Sequence, residues 1–284
     1  MTMDATKPSV KEVEISDKVI IGGSGPMVLF AGPCVIESRD HAMMLAEKIT
    51  KIAAAAAVPF VFKASFDKAN RSSGTSYRGP GIELGLAVLR EVRETFGIPV
   101  ITDVHTEEQI PEVAASVDVL QIPAFLCRQT DFILAAARTG KPVSVKKGQF
   151  LAPWDMKNVS DKIASAGNEK IVLTERGASF GYNNLVSDMR SLAVMRSFGY
   201  PVVFDATHSV QLPGGLGTAS GGQRQFIPTL ARAAAAAGID GLFVETHNDP
   251  DHALSDGPNN LPIEDLPRLL DQVKRIDEIL RDHT

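Results

Sequence analysis

Three cationic side chains stand at the carboxyl ends of short apolar runs. Lys63 follows Phe-Val-Phe, Lys146 follows Val-Ser-Val, and Arg176 follows Ile-Val-Leu-Thr-Glu. Burying a charge is costly unless the charge is paired or meets a ligand. These positions predict a site for a small, highly anionic substrate. The alternative interpretation is that the two lysines are solvated loop residues.

A second set of side chains offers metal donors. Cys34, His208 and Glu245 also end apolar runs, and they supply a thiolate, an imidazole and a carboxylate. Asp256 follows soon after Glu245 and could be a fourth ligand. Taken singly, each has another interpretation: a buried small residue for Cys34, a core residue or general base for His208, and a turn former for Asp256.

Two loops have unusual compositions, one rich in anion-binding side chains and the other rich in glycine. The loop after Lys63 carries Lys68, Arg71 and Ser72, whose side chains could surround a phosphate, although such loops are often merely solvated. The segment 212–222 is rich in glycine but has no Walker lysine, which excludes a P-loop. It is interpreted as a mobile cover, with a flexible loop as the alternative.

The elements that must position these groups repeat along the chain. Short apolar runs alternate with Ala- and Leu-rich segments, and Gly-x-Pro spacings end one element and begin the next. The predicted strands are Val28–Ile36, Pro59–Ser65, Pro99–Val104, Val119–Pro123, Pro142–Lys147, Lys170–Arg176, Pro201–His208 and Gly241–His247. The predicted helices are Asp40–Ala57, Gly81–Phe96, Glu107–Ala115, Thr130–Thr139, Trp154–Ser165, Asp188–Phe198, Gln225–Ala237 and Leu261–Arg281.

Continuous apolar strands that alternate with helices predict a single (β/α)₈ TIM barrel over residues 1–284. Residues 1–25 do not fit the repeat and are predicted to form a β-hairpin that caps the barrel bottom. A doubly wound sheet is the competing fold, but no G-x-G-x-x-G follows a strand. In a closed barrel the first strand lies beside the eighth, so the metal donors fall on neighbouring strand ends.

Composition restricts the function classes. The formal net charge is −5 and there is no basic run, which argues against a nucleic-acid or membrane-surface partner. Two distant cysteines do not suggest a disulfide framework. The N-terminus lacks the apolar region of a signal peptide, and no stretch is long enough to span a bilayer, so a cytoplasmic protein is expected.

Several motifs carry a family resemblance. They are the run from Lys63 to Ser73, Gln121-Ile-Pro-Ala-Phe, Lys146-Lys147, Asp205-Ala-Thr-His, and Glu245-Thr-His-Asn-Asp-Pro with its following Ser-Asp-Gly-Pro. Together they resemble the 3-deoxy-D-manno-octulosonate 8-phosphate synthases from about residue 28 to the end of the chain. The Lys-Ala-Asn-Arg-Ser-Ser run separates that family from the 3-deoxy-heptulosonate 7-phosphate synthases, which typically show Lys-Pro-Arg-Thr-Ser there.

The resemblance implies condensation of phosphoenolpyruvate with D-arabinose 5-phosphate and water in lipopolysaccharide synthesis, by a homotetrameric barrel. The residues implied to bind phosphoenolpyruvate are Lys63, Ser65, Gln121, Ala124, Lys146 and Arg176. Those implied to bind arabinose 5-phosphate are Asn70, Arg71, Ser72 and, from an adjoining subunit, Arg128. Catalytic roles are implied for Lys68, Asp103 and His208.

The family divides at the position of Cys34, where metal-independent members carry asparagine. The resemblance therefore implies the metal-dependent branch, with Zn²⁺, Fe²⁺ or Mn²⁺ held by Cys34, His208, Glu245 and Asp256. Three alternatives stay open. They are a synthase that uses erythrose 4-phosphate, a Schiff-base aldolase that uses Lys146 or Lys63, and a non-catalytic sugar-phosphate binder.

Overall fold

The computed structural model describes residues 9–71, 73–215 and 220–281. Eight parallel strands close into a barrel, in which the first and the last strand pair with each other. The barrel strands are β3 (Val28–Gly32), β4 (Phe60–Lys63), β5 (Val100–Asp103), β6 (Val119–Ile122), β7 (Val143–Lys146), β8 (Ile171–Glu175), β11 (Val202–Asp205) and β14 (Gly241–His247). The predicted (β/α)₈ barrel is confirmed.

Helices join successive strands and cover the outside of the barrel. They are α1 (Arg39–Ala56), α2 (Ile82–Phe96), α3 (Ile110–Ser116), α4 (Thr130–Arg138), α5 (Met156–Ser165), α6 (Arg190–Arg196), α7 (Ile227–Ala237) and α8 (Leu266–Arg281). Ser38 caps α1 by accepting the backbone N–H of His41. Gly97 ends α2 in the left-handed conformation, as its Gly-x-Pro spacing predicts, and Gly238 ends α7 in the same conformation.

Every barrel strand is buried along its whole length, which explains the continuous apolar runs. One face of the strands packs against the helices in the main core. The other face fills the barrel interior with side chains such as Phe30, Val61, Ile101 and Phe243. The barrel is therefore a packed core, and its strand ends are the places left for chemistry.

The predicted N-terminal hairpin is present as β1 (Val13–Ser16) and β2 (Val19–Ile21). Val13, Ile15, Val19 and Ile21 are buried in one cluster with the inward-facing barrel residues. The Ile21 side chain reaches the start of β14, near Gly241. The hairpin therefore closes the amino-terminal end of the barrel.

The elements differ from the prediction mainly at their ends. Seven of the barrel strands are shorter than predicted, whereas β14 has the predicted bounds. Helix α8 begins later than predicted because residues before it form a short strand, β15 (Leu261–Pro262), beside β14. Four further short strands form two hairpins at the strand ends: β9 (Ala178–Ser179) with β10 (Leu185–Val186), and β12 (Gln211–Leu212) with β13 (Gly221–Gly222). Among the described residues, no helix combines the length and apolarity that a bilayer crossing requires.

Candidate active site

A cavity of about 560 Å³ opens at the carboxyl ends of the barrel strands. Its walls combine strand ends with the loops that follow β4, β11 and β14. The predicted site residues among its lining are Lys63, Lys68, Asn70, Arg71, Asp103, Gln121, Ala124, Lys146, Arg176, His208 and Asp256. The volume suits two small phosphorylated molecules rather than a macromolecule.

Cys34, Glu245 and Asp256 meet at one side of this mouth. Their ligand atoms all lie within 4.8 Å of one another, and Cys34 Sγ is 3.7 Å from Asp256 Oδ2. His208 Nε2 lies 3.6 Å from Glu245 Oε2 and 3.7 Å from Asp256 Oδ2. The structure thus brings the four predicted metal donors together. They come from the ends of β3, β11 and β14 and from the loop after β14.

The orientation of His208 depends on Asp205 at the end of β11. His208 Nδ1 lies 2.8 Å from Asp205 Oδ2, and Asp205 Oδ1 accepts the backbone N–H of His208 at 2.9 Å. A proton on Nδ1 that is donated to Asp205 leaves the Nε2 lone pair directed at Glu245 and Asp256. Carboxylate–histidine pairs orient metal-ligating histidines in this way.

Two of the four donors, Cys34 and Glu245, have shifted pKa values. Burial and the neighbouring Glu245 raise the pKa of the Cys34 thiol to about 12. Glu245 Oε2 is buried and has no hydrogen-bond partner among the described residues. Burial alone would raise the pKa of Glu245, but Lys63 and His208 hold it well below its ordinary value. Its carboxylate therefore stays ionised.

Lys63 and Lys146 converge on the ring of Phe243 inside the barrel. Their Nζ atoms lie 5.5 Å and 3.9 Å from the ring centroid. Lys63 Nζ donates to Glu245 Oε1 at 2.5 Å, and Lys146 Nζ donates to Asp205 Oδ2 at 2.6 Å. Burial lowers the pKa of Lys146, which Asp205 partly offsets. Each lysine is thus paired with a carboxylate, and both ammonium groups line the cavity.

Several buried polar atoms around these lysines lack a hydrogen-bond partner within the part of the chain that the structure describes. They are Ser65 Oγ, Gln121 Oε1 and Arg176 Nη1. Arg176 Nη2 donates to Gln211 Oε1 at 2.9 Å, so only one edge of its guanidinium is held. Since buried polar groups are normally paired, these atoms indicate where a polar ligand binds.

Lys68 and Asp103 face each other across the cavity. Burial would lower the pKa of Lys68, but Cys34, Glu245 and Asp103 raise it above its ordinary value. Burial would raise the pKa of Asp103, but Lys68 and His105 lower it to about 2. The Lys68 ammonium and the Asp103 carboxylate are therefore both charged at neutral pH.

The loop after β4 brings Arg71 toward the loop after β14. Arg71 Nε donates to the carbonyl of Tyr77 at 3.0 Å, and Nη2 donates to the carbonyl of Leu254 at 3.2 Å. Asn70 is exposed at the cavity edge. Ser72, the third residue implied to bind the sugar phosphate, lies outside the described residues.

Arg128 is the one described site residue that stands apart on the surface of the chain. It is exposed and does not line the cavity, unlike its neighbour Ala124. Large exposed apolar side chains occur in its part of the sequence and after β7 and β8: Phe125, Phe150, Trp154, Phe180 and Tyr182. Within one chain, Arg128 therefore contributes nothing to the cavity wall.

Sequence reasoning missed three residues of the site. Asp205 stands in a motif that carries the resemblance, but it received no role, although it contacts both Lys146 and His208. Gln211 connects Arg176 to Asp256, whose Oδ2 lies 3.5 Å from Gln211 Nε2. Ser255 Oγ lies 2.9 Å from Cys34 Sγ. Asp205 carried a signal because it ends a buried strand, and Ser255 carried one because it opens the Ser-Asp-Gly-Pro motif, whereas Gln211 carried none.

Comparison with known proteins identifies close relatives. A model of the DAHP synthetase I family matches residues 7–282. The 2-dehydro-3-deoxyphosphooctonate aldolase of Geobacter metallireducens is 60% identical over 271 residues, which make up 95% of this chain and 99% of that protein. The proteins of the same name from Geotalea uraniireducens and Alkalilimnicola ehrlichii are 60% and 61% identical, over 96% and 92% of this chain and 100% and 94% of their own lengths.

Proposed function

The chain belongs to the DAHP synthetase I family, and from this premise we propose that it condenses phosphoenolpyruvate with D-arabinose 5-phosphate and water. The products are 3-deoxy-D-manno-octulosonate 8-phosphate and inorganic phosphate, for lipopolysaccharide synthesis. Relatives about 60% identical over their full length carry the aldolase name of this enzyme. The observation that carries the proposal is the convergence of buried cations and metal donors on one cavity.

Phosphoenolpyruvate is assigned to the inner part of the cavity. Lys63, Lys146 and Arg176 supply positive charge there for its carboxylate and phosphate. The unpartnered Ser65 Oγ and the free edge of Arg176 offer further donors. Gln121 and the short helix that starts at Ala124 close the same side of the cavity. Because these groups are held before the ligand arrives, they orient it at little entropic cost.

Arabinose 5-phosphate is assigned to the outer part, beside the loop after β4. Asn70 and Arg71 lie at that edge, and Ser72 is assigned to the same subsite by the resemblance. The sugar aldehyde then points inward, toward Lys68, Asp103 and His208. This arrangement sets the two reacting carbons against each other between two anion-binding regions.

The reaction forms one C–C bond and one C–O bond, the latter from water to C2, and it breaks the C2–O bond to phosphate. C3 of phosphoenolpyruvate attacks the aldehyde carbon, whose oxygen becomes a hydroxyl by taking a proton. The proton donor is assigned to Lys68 because this ammonium is charged and lies between the two subsites. Water then adds to C2 of the former enolpyruvate and gives one proton to His208 or Asp103. The resulting C2 hydroxyl loses its proton as the C2–O bond to phosphate breaks, which leaves a ketone at C2 and inorganic phosphate.

The donor set fits a divalent cation. The unpartnered buried Glu245 Oε2, together with one sulfur, one imidazole and a second carboxylate, is a combination that suits Zn²⁺ or Fe²⁺. Cys34, His208, Glu245 and Asp256 would hold the ion, with Mn²⁺ as a third candidate. Such an ion supplies Lewis acidity toward an oxygen of the sugar or of water.

The assembly and location are proposed from the resemblance. We assign a homotetramer in which Arg128 of one subunit reaches a neighbour's sugar-phosphate subsite, in the cytoplasm. Arg128 is exposed and outside its own chain's cavity, and several large aromatic side chains of the chain are exposed as well. Sedimentation velocity tests the tetramer, and a dimer or monomer at assay concentration would contradict it.

Phosphate release tests the reaction itself. Purified protein is assayed with phosphoenolpyruvate and either arabinose 5-phosphate or erythrose 4-phosphate. We expect turnover to be highest with the five-carbon sugar, since the Ala-Asn-Arg-Ser-Ser loop sets the subsite. A preference for the four-carbon sugar would contradict the assignment. Borohydride inactivation with substrate would instead favour a Schiff-base aldolase.

Metal dependence is measured in the same assay. Exhaustive chelation is expected to abolish phosphate release, and adding back Zn²⁺, Fe²⁺ or Mn²⁺ is expected to restore it. Metal content by atomic emission gives the stoichiometry per chain. Full activity with no bound metal would contradict the role assigned to Cys34.

A further inference from the structure

A second set of residues, Glu37, His247 and Leu254, lies close in sequence to three of the four metal donors. Glu37 lies three positions after Cys34, His247 two positions after Glu245, and Leu254 two positions before Asp256. Glu37 is half-buried, and His247 is buried at 5% exposure. Neither Glu37 nor His247 lines the cavity, so their role is not substrate contact.

The Glu37 carboxylate joins the segments that carry three of the donors. Its Oε1 accepts the backbone N–H of Leu254 at 2.8 Å and lies 3.3 Å from His247 Nε2. One carboxylate oxygen thus contacts both the end of β14 and the far end of the loop 249–256. The same residue is fixed to the segment that carries Cys34 by its own backbone.

His247 holds the near end of that loop. Its Nδ1 accepts the backbone N–H of Asp249 at 2.9 Å. Because Nδ1 is the acceptor, the proton of the neutral ring lies on Nε2, which faces Glu37. The loop is therefore anchored at its start by His247 and at its end by Glu37.

The same protonation argues against a second metal beside Glu37 and His247. Ligand atoms of Glu37, His41 and His247 lie within 4.8 Å of one another, which is close enough to suggest an ion. A metal bound to His247 Nε2 would require a lone pair on that nitrogen. Because Nδ1 accepts a hydrogen bond, Nε2 carries the proton of the neutral ring and has no lone pair to offer. His41 Nε2 is also engaged, at 2.9 Å from Asn248 Oδ1. The geometry therefore favours a positioning role.

The backbone of the loop needs such support. Asp256 has φ +48°, a left-handed conformation that is unfavourable for residues other than glycine. The Leu254 peptide is held on both sides, since its N–H meets Glu37 and its carbonyl accepts from Arg71. Tyr77 Oη, from the loop of Arg71, also donates to the carbonyl of Ile36 at 3.0 Å.

We propose that Glu37 is a positioning residue that fixes the loop 249–256, so that Asp256 and Ser255 face Cys34. The proposal rests on the metal site of the proposed function. Removing the carboxylate frees the Leu254 N–H and lets the left-handed turn at Asp256 relax. Metal affinity is then expected to fall by about 10- to 100-fold, the usual cost of losing an outer-shell partner.

Metal affinity is the deciding measurement because it does not depend on turnover. Zinc binding to metal-free protein is titrated in competition with a chromophoric chelator, for wild type, Glu37→Ala and Glu37→Gln. The amide oxygen of glutamine can still accept from Leu254, so Glu37→Gln is expected to lose only several-fold. The absorption of the cobalt-substituted protein reports whether the thiolate still ligates the ion.

Asp249→Asn is the matched control. It removes a carboxylate from the same loop, but that carboxylate contacts the exposed His252 rather than the donor segments. Its zinc affinity and cobalt spectrum are expected to match those of wild type.

The outcomes separate the two proposals. A wild-type protein that binds no zinc would remove the metal site and, with it, this inference. Wild-type zinc affinity in Glu37→Ala would overturn the inference while leaving the metal site intact. Circular dichroism checks that each variant folds. If Glu37→Ala does not fold, Glu37→Gln decides, and unchanged zinc affinity in that variant overturns the proposal.

Discussion

The two ends of the barrel treat buried polarity in opposite ways. At the bottom, the β1–β2 hairpin seals the interior with Val13, Ile15, Val19 and Ile21. At the mouth, charged side chains are buried in numbers, and several of their polar neighbours have no partner within the described residues. The same eight strands therefore end in an apolar plug on one side and in an unsatisfied polar cavity on the other.

One buried ion pair near the bottom sharpens this difference. Arg196 pairs with Asp240, and the same carboxylate also accepts the backbone N–H of Val202 at 2.8 Å. Glu245 at the mouth likewise pairs with Lys63, but its second oxygen has no hydrogen-bond partner among the described residues. The Arg196–Asp240 pair near the bottom is neutralised within the chain, whereas the Lys63–Glu245 pair at the mouth leaves capacity for a ligand. The bottom thus serves stability and the mouth serves binding.

Lys68→Met tests the mouth and has the largest expected effect. The variant keeps the apolar stem but loses the proposed proton donor, so kcat should fall by about 1,000-fold. The free energy of unfolding should also fall, because the Lys68 ammonium lowers the pKa of the buried Asp103 carboxylate and the variant loses that stabilisation. Steady-state phosphate release and thermal unfolding measure the two. Near-normal kcat would remove Lys68 from the chemistry.

Arg196→Leu tests the bottom. It leaves the Asp240 carboxylate buried without its cation, which should destabilise the fold by about 3–5 kcal/mol. At a temperature where the variant is folded, its kcat and KM should match those of wild type. The control is Lys11→Ala, which breaks the exposed pair with Glu169 and should cost about 1 kcal/mol or less. A fall in kcat without a loss of stability would show that this ion pair serves catalysis rather than stability, which contradicts the prediction.

Ile21→Ala tests the apolar plug itself. Ile21 is fully buried against the start of β14, so the cavity should cost about 2–4 kcal/mol. Urea unfolding gives the loss, and substrate KM values should stay unchanged because the mouth is at the far end of the barrel. Weaker substrate binding would show that the hairpin sets the active site as well as the fold.

The bottom of the barrel could be predicted from sequence patterns more completely than the mouth. The plug and the barrel followed from local patterns, namely apolar runs and the glycine and proline residues between them. Cys34, His208 and Glu245 could be grouped because a closed barrel brings strand ends together. The resemblance alone supplied the identity of the sugar.

What could not be predicted depends on how loops pack across the mouth. The contact of Glu37 with Leu254 joins residues 217 positions apart, and the periodicity of the sequence gives no sign of it. The link from Gln211 to Asp256 likewise needs the short β12–β13 hairpin, which the prediction treated as loop. Side-chain chemistry at strand ends is readable, whereas loop-to-loop contacts require coordinates.

Cys34→Asn has the smallest expected effect on stability. It could satisfy a buried carboxylate at the mouth within the chain, as Arg196 does for Asp240 at the bottom. An amide at this position could donate to Glu245 Oε2, the buried oxygen that now lacks a partner. One added hydrogen bond should raise the stability of the metal-free protein by about 1 kcal/mol. Turnover should persist in the presence of chelator, within about tenfold of metal-loaded wild type, because the amide then holds the carboxylate in place of the cation.

Unfolding of the chelated proteins and phosphate release with chelator measure the two effects together. Cys34→Ser is the control, since its shorter hydroxyl does not present an amide to Glu245. If Cys34→Asn proves as chelator-sensitive as wild type and no more stable, the unpartnered oxygen is not what the metal satisfies. The unpaired polar groups at the mouth would then be explained by substrate binding alone. The difference between the two ends of the barrel would not require a metal.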